Sequence, residues 1–252
     1  IVHTADLELL GAPGVVAAYV IPSSDGLIVV DCGPGSTLPT LRSAISRFGY
    51  DVADIRHILL THIHLDHAGG AGQLSLETGA TVYVHQRGAA HLLNPARLMQ
   101  SATQIYGAMM DTLWGAFLPM SEAQLQPLEG GETLRLGDLE IRVAYTPGHA
   151  VHHLTYATHG HVFCGDVGGV RLQGSPYLIA PTHKIVHAFN HLASALGLLG
   201  YAPHGQLQVG AVLRRLRGCY CALQQIKRAG GITRNRGQRL VQLMAEPGDG
   251  YA

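Results

Sequence analysis

The chain has 252 residues, 47% hydrophobic and 13% charged, with 17 Lys and Arg balanced by 17 Asp and Glu. That length and apolar content supply one sizeable core, and no Pro/Gly/Ser-rich linker divides it, so a single domain over residues 1–252 is expected rather than several. No run of about 18 apolar residues offers a membrane span, residues 1–6 lack the features of a signal peptide, and the four cysteines have no framework spacing, which fits a reducing cytoplasm. The start at Ile1 rather than methionine leaves room for a removed leader.

In chain order, residues 15–21 and 27–30 are β-rich runs joined across residues 22–26, a hairpin signal. Residues 37–48 read as a helix with Thr37 as its N-cap and Leu38, Leu41, Ile45 and Phe48 near helical spacing. Residues 58–60 look like a buried strand, after which the chain turns polar: Thr61-His-Ile-His-Leu-Asp-His67, followed by Ala68-Gly69-Gly70. Four candidate metal ligands, His62, His64, Asp66 and His67, thus fall within six positions. In an extended segment His62 and His64 point the same way, whereas adjacent Asp66 and His67 diverge unless the chain turns. Two pairs facing two directions suit two metal ions. Imidazoles with a carboxylate suit zinc and also iron, manganese or cobalt, and no CxxC pair points to a structural zinc site instead.

Residues 81–85 form a strand, and residues 86–120 an insertion expected to pack as one or two amphipathic helices. The sharper reading of that insertion makes Tyr106, Met109, Met110, Trp114 and Phe117 an adaptable apolar wall over the metal site. Residues 134–136 and 139–145 form a hairpin across Gly137-Asp138, and residues 153–157 pair with residues 161–164.

The histidine-rich segment resembles the HxHxDH signature of the metallo-β-lactamase superfamily. Thr146-Pro-Gly-His149, with His152, His153 and Tyr156 after it, is similar to the second ligand segment of the glyoxalase II-like branch, and Phe163-Cys-Gly-Asp166 to the third. The resemblance implies a four-layer αββα sandwich of two mixed sheets, an α/β (α+β) fold. It implies that His62, His64 and His149 hold one metal, that Asp66 and His67 hold another, and that Asp166 bridges them. A last histidine is then needed. His204, 38 residues after Asp166, has the right interval but follows an apparent helix; His183 is the reserve, with His187 and His191 behind it. Asp31 has two readings: support of the metal-binding histidines, as the resemblance implies, or a cap on the turn at residues 33–35. His152 and His153 are read as hydrogen-bonding neighbours of the ligands or as substrate contacts, and Cys32 and Cys164 as buried strand residues.

Two divalent ions, zinc first with iron or manganese as alternatives, imply hydrolysis by metal-bound hydroxide of an ester, thioester, lactone or similar small substrate, with Asp66 or Asp166 orienting the water and taking its proton. The alternative from the same ligands is an iron-dependent sulfur dioxygenase or diiron redox protein. The expected substrate pocket comprises Tyr106, Met110, Trp114, Phe117 and His153.

Charge is uneven. Residues 1–166 carry 15 acids against 7 bases, a net of −8, and residues 167–252 carry 2 acids against 10 bases, a net of +8. Without interleaved aromatics the preferred reading is a solvated basic helix at 212–229 rather than a nucleic-acid channel. An altered reading frame at this end is another reading. The expected partner is a small-molecule substrate, with no nucleic acid or membrane, acting on a monomer or homodimer.

Overall fold

A computed structural model describes residues 1–168 and the short strand Cys219–Tyr220. The chain runs β1 (His3–Asp6), β2 (Ala17–Ser23), β3 (Gly26–Val30), α1 (Leu38–Arg47), β4 (Ile55–Leu59), α2 (Leu65–Ala68), α3 (Ala71–Thr78) and β5 (Thr81–His85). It continues through α4 (Gln86–Leu93), α5 (Ala96–Tyr106), α6 (Met110–Leu113), β6 (Leu125–Leu128), β7 (Thr133–Leu136), β8 (Leu139–Tyr145), β9 (Leu154–Thr158), β10 (His161–Phe163) and β11 (Cys219–Tyr220).

Two sheets result, ordered β1-β2-β3-β4-β5-β6 and β11-β10-β9-β8-β7. The first is antiparallel through β1, β2 and β3 and parallel from β3 to β6; the second is antiparallel except where β11 joins β10. Strand alternation sorts the side chains into two cores. Tyr19, Ile21, Ile28 and Val30 meet Ile141, Val143, Tyr156 and Phe163 between the sheets. Val20 and Val29 point the other way, onto a core shared with Leu41 and Ile45 of α1 and Leu74 of α3. Helices, first sheet and second sheet thus make three layers of the expected sandwich among the described residues.

Several sequence expectations shift on the structure. The turn at residues 22–26 is tighter, because the pairing runs to Ser23 opposite Gly26 and leaves only Ser24 and Asp25 in the loop. Thr37 occupies the N-cap position of α1 without capping it; its hydroxyl donates to Pro34 O at 3.0 Å. The insertion holds three α-helices and a 3-10 turn rather than one or two helices. Within it Met110 and Trp114 are core, 8% and 3% exposed, and Tyr106 and Phe117 pack against that core. Trp114 and Tyr106 meet edge to face at 5.1 Å. The wall reading therefore fails for Met110 and Trp114: their apolar surface is spent inside the domain.

Candidate metal centre

The centre forms where β4 ends. Leu60 continues its strand through a bond to Tyr83 O, and Leu154 N donates to Thr61 O at 2.7 Å, tying the ligand loop to the second sheet. Tyr156, wholly buried, donates its hydroxyl to Leu60 O at 2.9 Å. The chain stays extended at His64 and then makes the single turn α2, which carries Asp66 and His67. That turn resolves the divergence expected of adjacent Asp66 and His67. Ala68-Gly69-Gly70 follows because nothing larger fits: a Cβ on Gly69 would lie 2.9 Å from Pro34 Cα, and one on Gly70 2.5 Å from Leu38 Cδ2.

The structure brings together six of the seven residues expected as ligands. His62 Nε2 lies 3.0 Å from His64 Nδ1, which lies 2.9 Å from His149 Nε2. His67 Nε2 lies 3.3 Å from Asp66 Oδ2 and 3.2 Å from Asp166 Oδ1, while Asp166 Oδ2 is 3.6 Å from His149 Nε2. Two groups, His62/His64/His149 and His62/His67/Asp166, each have their donor atoms within 4.8 Å of one another. Asp166 reaches both from the turn after β10. Its approach depends on Gly165, at φ +46°, where a Cβ would lie 2.5 Å from Thr61 Oγ1. His204, His183, His187 and His191, and the basic segment 212–229, lie outside the described residues.

Below the centre, Asp31 decides tautomers. Its Oδ1 accepts from Thr61 N at 2.8 Å, and its Oδ2 accepts from Thr61 Oγ1 and His67 Nδ1, both at 2.8 Å. The cap reading of Asp31 is thereby replaced. Since Thr61 Oγ1 gives its only hydrogen to a carboxylate, it must accept from His62 Nδ1 at 3.1 Å. The Nε2 atoms of His62 and His67 therefore present bare lone pairs to the centre when these rings are neutral.

Electrostatics agree. Burial, then the positive potential of His67 and the other histidines, holds His62 well below the usual imidazole range, and burial with His149 brings His64 down to about 3. Burial also disfavours charge on His67, but Asp66, Asp166 and Asp31 outweigh it and raise the group. Burial opposes ionisation of Asp66 and Asp166, and His67 overcomes it in both, so their carboxyls are lowered. Converging lone pairs and carboxylates repel one another unless a cation lies among them. Tetrahedral zinc with Zn–N bonds near 2.0–2.1 Å would set neighbouring nitrogens about 3.3 Å apart, close to the separations here. The donor set fits a metal.

Four neighbours have clear places. His153, expected as a pocket residue, is fully buried beneath His62, with ring centroids 5.0 Å apart; its Nδ1 bonds Thr146 Oγ1 at 3.0 Å and its Nε2 faces Asp166 N at 3.5 Å. It supports the centre from behind and cannot touch substrate. His152 stands beside the rim, 5.8 Å from the His64 ring. Cys32 and Cys164 are buried, as expected, and burial pushes the Cys32 thiol up, so it stays protonated. Thr61 and Thr146 orient the His62 and His153 rings through their hydroxyls, a role the sequence does not announce. The only available signal was a hydroxyl preceding each ligand segment.

Comparison with known proteins gives the family. The family model of the metallo-β-lactamase superfamily matches residues 11–213, and the chain belongs to that superfamily. Among curated relatives, a metallo-β-lactamase fold-containing protein of Sulfurisphaera tokodaii, ST1585, is 27% identical over 173 residues, covering 68% of this chain and 62% of that protein. Hydroxyacylglutathione hydrolases of Hahella chejuensis and Aeromonas hydrophila are 30% and 29% identical, over 63% and 92% of this chain and 50% and 77% of theirs. This chain thus spans 62% and 50% of the length of the first two relatives. The solved structure of ST1585, from Sulfolobus tokodaii, superposes with a TM-score of 0.55 at 22% identity, covering 86% of this chain and 97% of that one, which is a likeness of fold.

Proposed function

We propose that this protein is a dinuclear metallohydrolase acting on a small thioester, ester or lactone, with the glyoxalase II-like thioesterases as a functional model. The reading rests on one observation above others: the Asp166 carboxylate spans from His67 Nε2 to His149 Nε2, joining two groups of converging donors. In this reading His62, His64 and His149 hold one ion. Asp66, His67, Asp166 and a last histidine, His204 with His183 in reserve, hold the second. Two relatives named as hydroxyacylglutathione hydrolases support the thioester side.

Divalent ions held there, zinc first, supply Lewis-acid chemistry that acidifies water and polarises a carbonyl oxygen. The chain's own residues do the rest. Burial keeps His62 and His64 neutral, so their lone pairs stay available. Asp31 holds His67 in the tautomer that directs Nε2 inward. Both Asp166 oxygens face imidazole nitrogens, while Asp66 is the more exposed carboxylate, 18% against 13%. Asp66 is therefore the group that takes the proton from an attacking water, and Asp166 the group that orients it.

Metal analysis of protein purified without added metal, followed by a panel of thioesters, esters, lactones, phosphodiesters and a chromogenic cephalosporin, tests the proposal. Zinc with thioester, ester or lactone hydrolysis upholds it. Iron with oxygen consumption would replace it by the dioxygenase or redox alternative, and cleavage of phosphodiesters alone would reassign the substrate.

A further inference from the structure

The loop after β8 carries the candidate ligand His149 and then Ala150, Val151 and His152, with Val151 54% exposed. Helix α4 lies along that loop. Its Gly88 makes the approach possible: a Cβ there would lie 2.8 Å from Cγ2 of Ile63, between ligands His62 and His64, and 3.6 Å from His152 Cβ. His91 stands one turn further along the same face, near enough to His152 to act on its charge. At the start of the helix, His85 Nδ1 accepts from Arg87 N at 3.2 Å, and the His85 ring stacks on Tyr145 at 4.6 Å. Arg87 Nη1 then donates to Tyr145 Oη at 3.3 Å, and Tyr145 Oη donates to Val151 O at 2.9 Å. The guanidinium is thus held two hydrogen bonds from the loop that carries His149. It is exposed, and no carboxylate pairs with it among the described residues.

These groups are more than is needed to close a helix onto a loop. His152 Nδ1 is buried with no hydrogen-bond partner among the described residues, which is costly unless something completes it. A guanidinium with no carboxylate partner among the described residues, on the helix whose Gly88 packs against His152, suits an anionic oxygen group, because Arg presents a planar fork of donors to a carboxylate.

Building on the hydrolase reading above, we propose that Arg87, His152 and His91 form a subsite for a carboxylate carried by the substrate a few bonds from the scissile carbonyl. Arg87 supplies charge and a bidentate grip, and the two histidines supply further hydrogen-bonding nitrogens closer to the centre. The substrate class narrows accordingly to thioesters or esters with an acidic arm.

The test compares two acetyl thioesters that differ only at the far end of the leaving group, S-acetyl-3-mercaptopropionate and its amide, with thiol release as the signal. The zinc-loaded wild type should favour the acid, and R87Q should lower the acid-to-amide ratio of kcat/KM at least tenfold, carried mainly in KM. R87K, which keeps charge without the fork, should recover part of that ratio. A general loss of fold or metal moves both substrates together and leaves the ratio in place, so a ratio in R87Q within twofold of wild type overturns the subsite while the hydrolase reading stands. If neither thioester is cleaved, the hydrolase reading is what fails. Calorimetric binding of 3-(methylthio)propanoate then decides the subsite by itself: weakening of at least fivefold in R87Q at equal zinc content upholds it, and equal binding overturns it.

Discussion

Replacing Asp31 by Asn separates the two halves of the centre. Asp31 sits at φ +49°, a left-handed conformation in which Asn is as comfortable as Asp, so the exchange is neutral for the backbone. If the amide oxygen keeps the bond from Thr61 N, the new NH2 faces Thr61 Oγ1 and His67 Nδ1. Thr61 Oγ1 can accept from that amide while still accepting from His62 Nδ1, so His62 keeps its tautomer. His67 cannot: its Nδ1 must become the acceptor, its Nε2 gains the proton, and the lone pair aimed at Asp66 and Asp166 is lost. Two hydrogen bonds to a buried charge, each worth about 1.5–3 kcal/mol, give way to weaker neutral ones, so a stability loss of about 1–3 kcal/mol is expected. Orienting partners of this kind typically change metal affinity about 10–100-fold. Calorimetric titration of chelator-stripped protein with zinc should show the weaker of two binding events falling by that factor and the other moving little. Nitrogen-resolved NMR should report the tautomer change at His67. Two unchanged binding events, or equal loss of both in a folded protein, would refute the reasoning.

His204→Ala should remove one zinc per chain by elemental analysis if His204 completes the second group, and unchanged stoichiometry would pass the role to His183. Trp114→Ala should cost about 3–5 kcal/mol in urea unfolding, as core truncations of this size do, and should affect small and bulky substrates alike; a selective loss of bulky substrates would restore the pocket-wall reading. The metal-stripped protein should lose stability between pH 7 and pH 5. His64 and His152, lowered to about 3 and about 4, with His62 and His153 also lowered, stay neutral in the native state while the unfolded chain takes up protons below about 6.5. Each can withdraw at most about 1.4 kcal/mol per pH unit across that window. The raised His67 keeps its proton in the native state across this window; its stabilisation is complete below about 6.5 and fades as pH rises through its folded value. A flat denaturation midpoint from pH 7 to 5 contradicts this assignment.

How legible the protein was depended on how local each signal is. His62, His64, Asp66 and His67 were readable because one loop presents all four, and His149 and Asp166 because each ends a short segment with its own motif. Support of the ligands was largely hidden, since Asp31 to His67 and Thr146 to His153 are contacts made by tertiary folding. The hairpin over Gly137-Asp138 and the strand Thr81–His85 followed from alternation and turn chemistry. Strands β1 and β6 did not: His3–Asp6 is half polar, and Leu125–Leu128 carries Pro127, which suits only the edge position it occupies. The single turn α2 is too short to show a helical period. Met110 and Trp114 show a different limit. Methionine and tryptophan at helical spacing have the same composition whether they wall a cavity or fill a core, and only the packing decides.

Unlike His67, His149 has no hydrogen bond behind it: its Nε2 meets His64 and Asp166 at the centre, but its Nδ1 is buried without a partner among the described residues, so on that side no hydrogen bond among them fixes the ring. Its orientation must come from the backbone that carries it, which Tyr145 pins by its bond to Val151 O at 2.9 Å and Thr146 by a bond from its N to His153 O at 3.0 Å. Tyr145→Phe removes the first of these and leaves the packing. A single neutral hydrogen bond is worth about 1 kcal/mol, so the affinity of the His62/His64/His149 group should fall about fivefold with the other group spared, the mirror image of the Asp31→Asn result. The two variants therefore form a cross: one loosens the His67 side through a tautomer, the other the His149 side through a loop. If Tyr145→Phe instead weakens both binding events equally, Asp166, which touches His67 and His149 alike, transmits the loop's position across the whole centre, and the two ions are held as one unit.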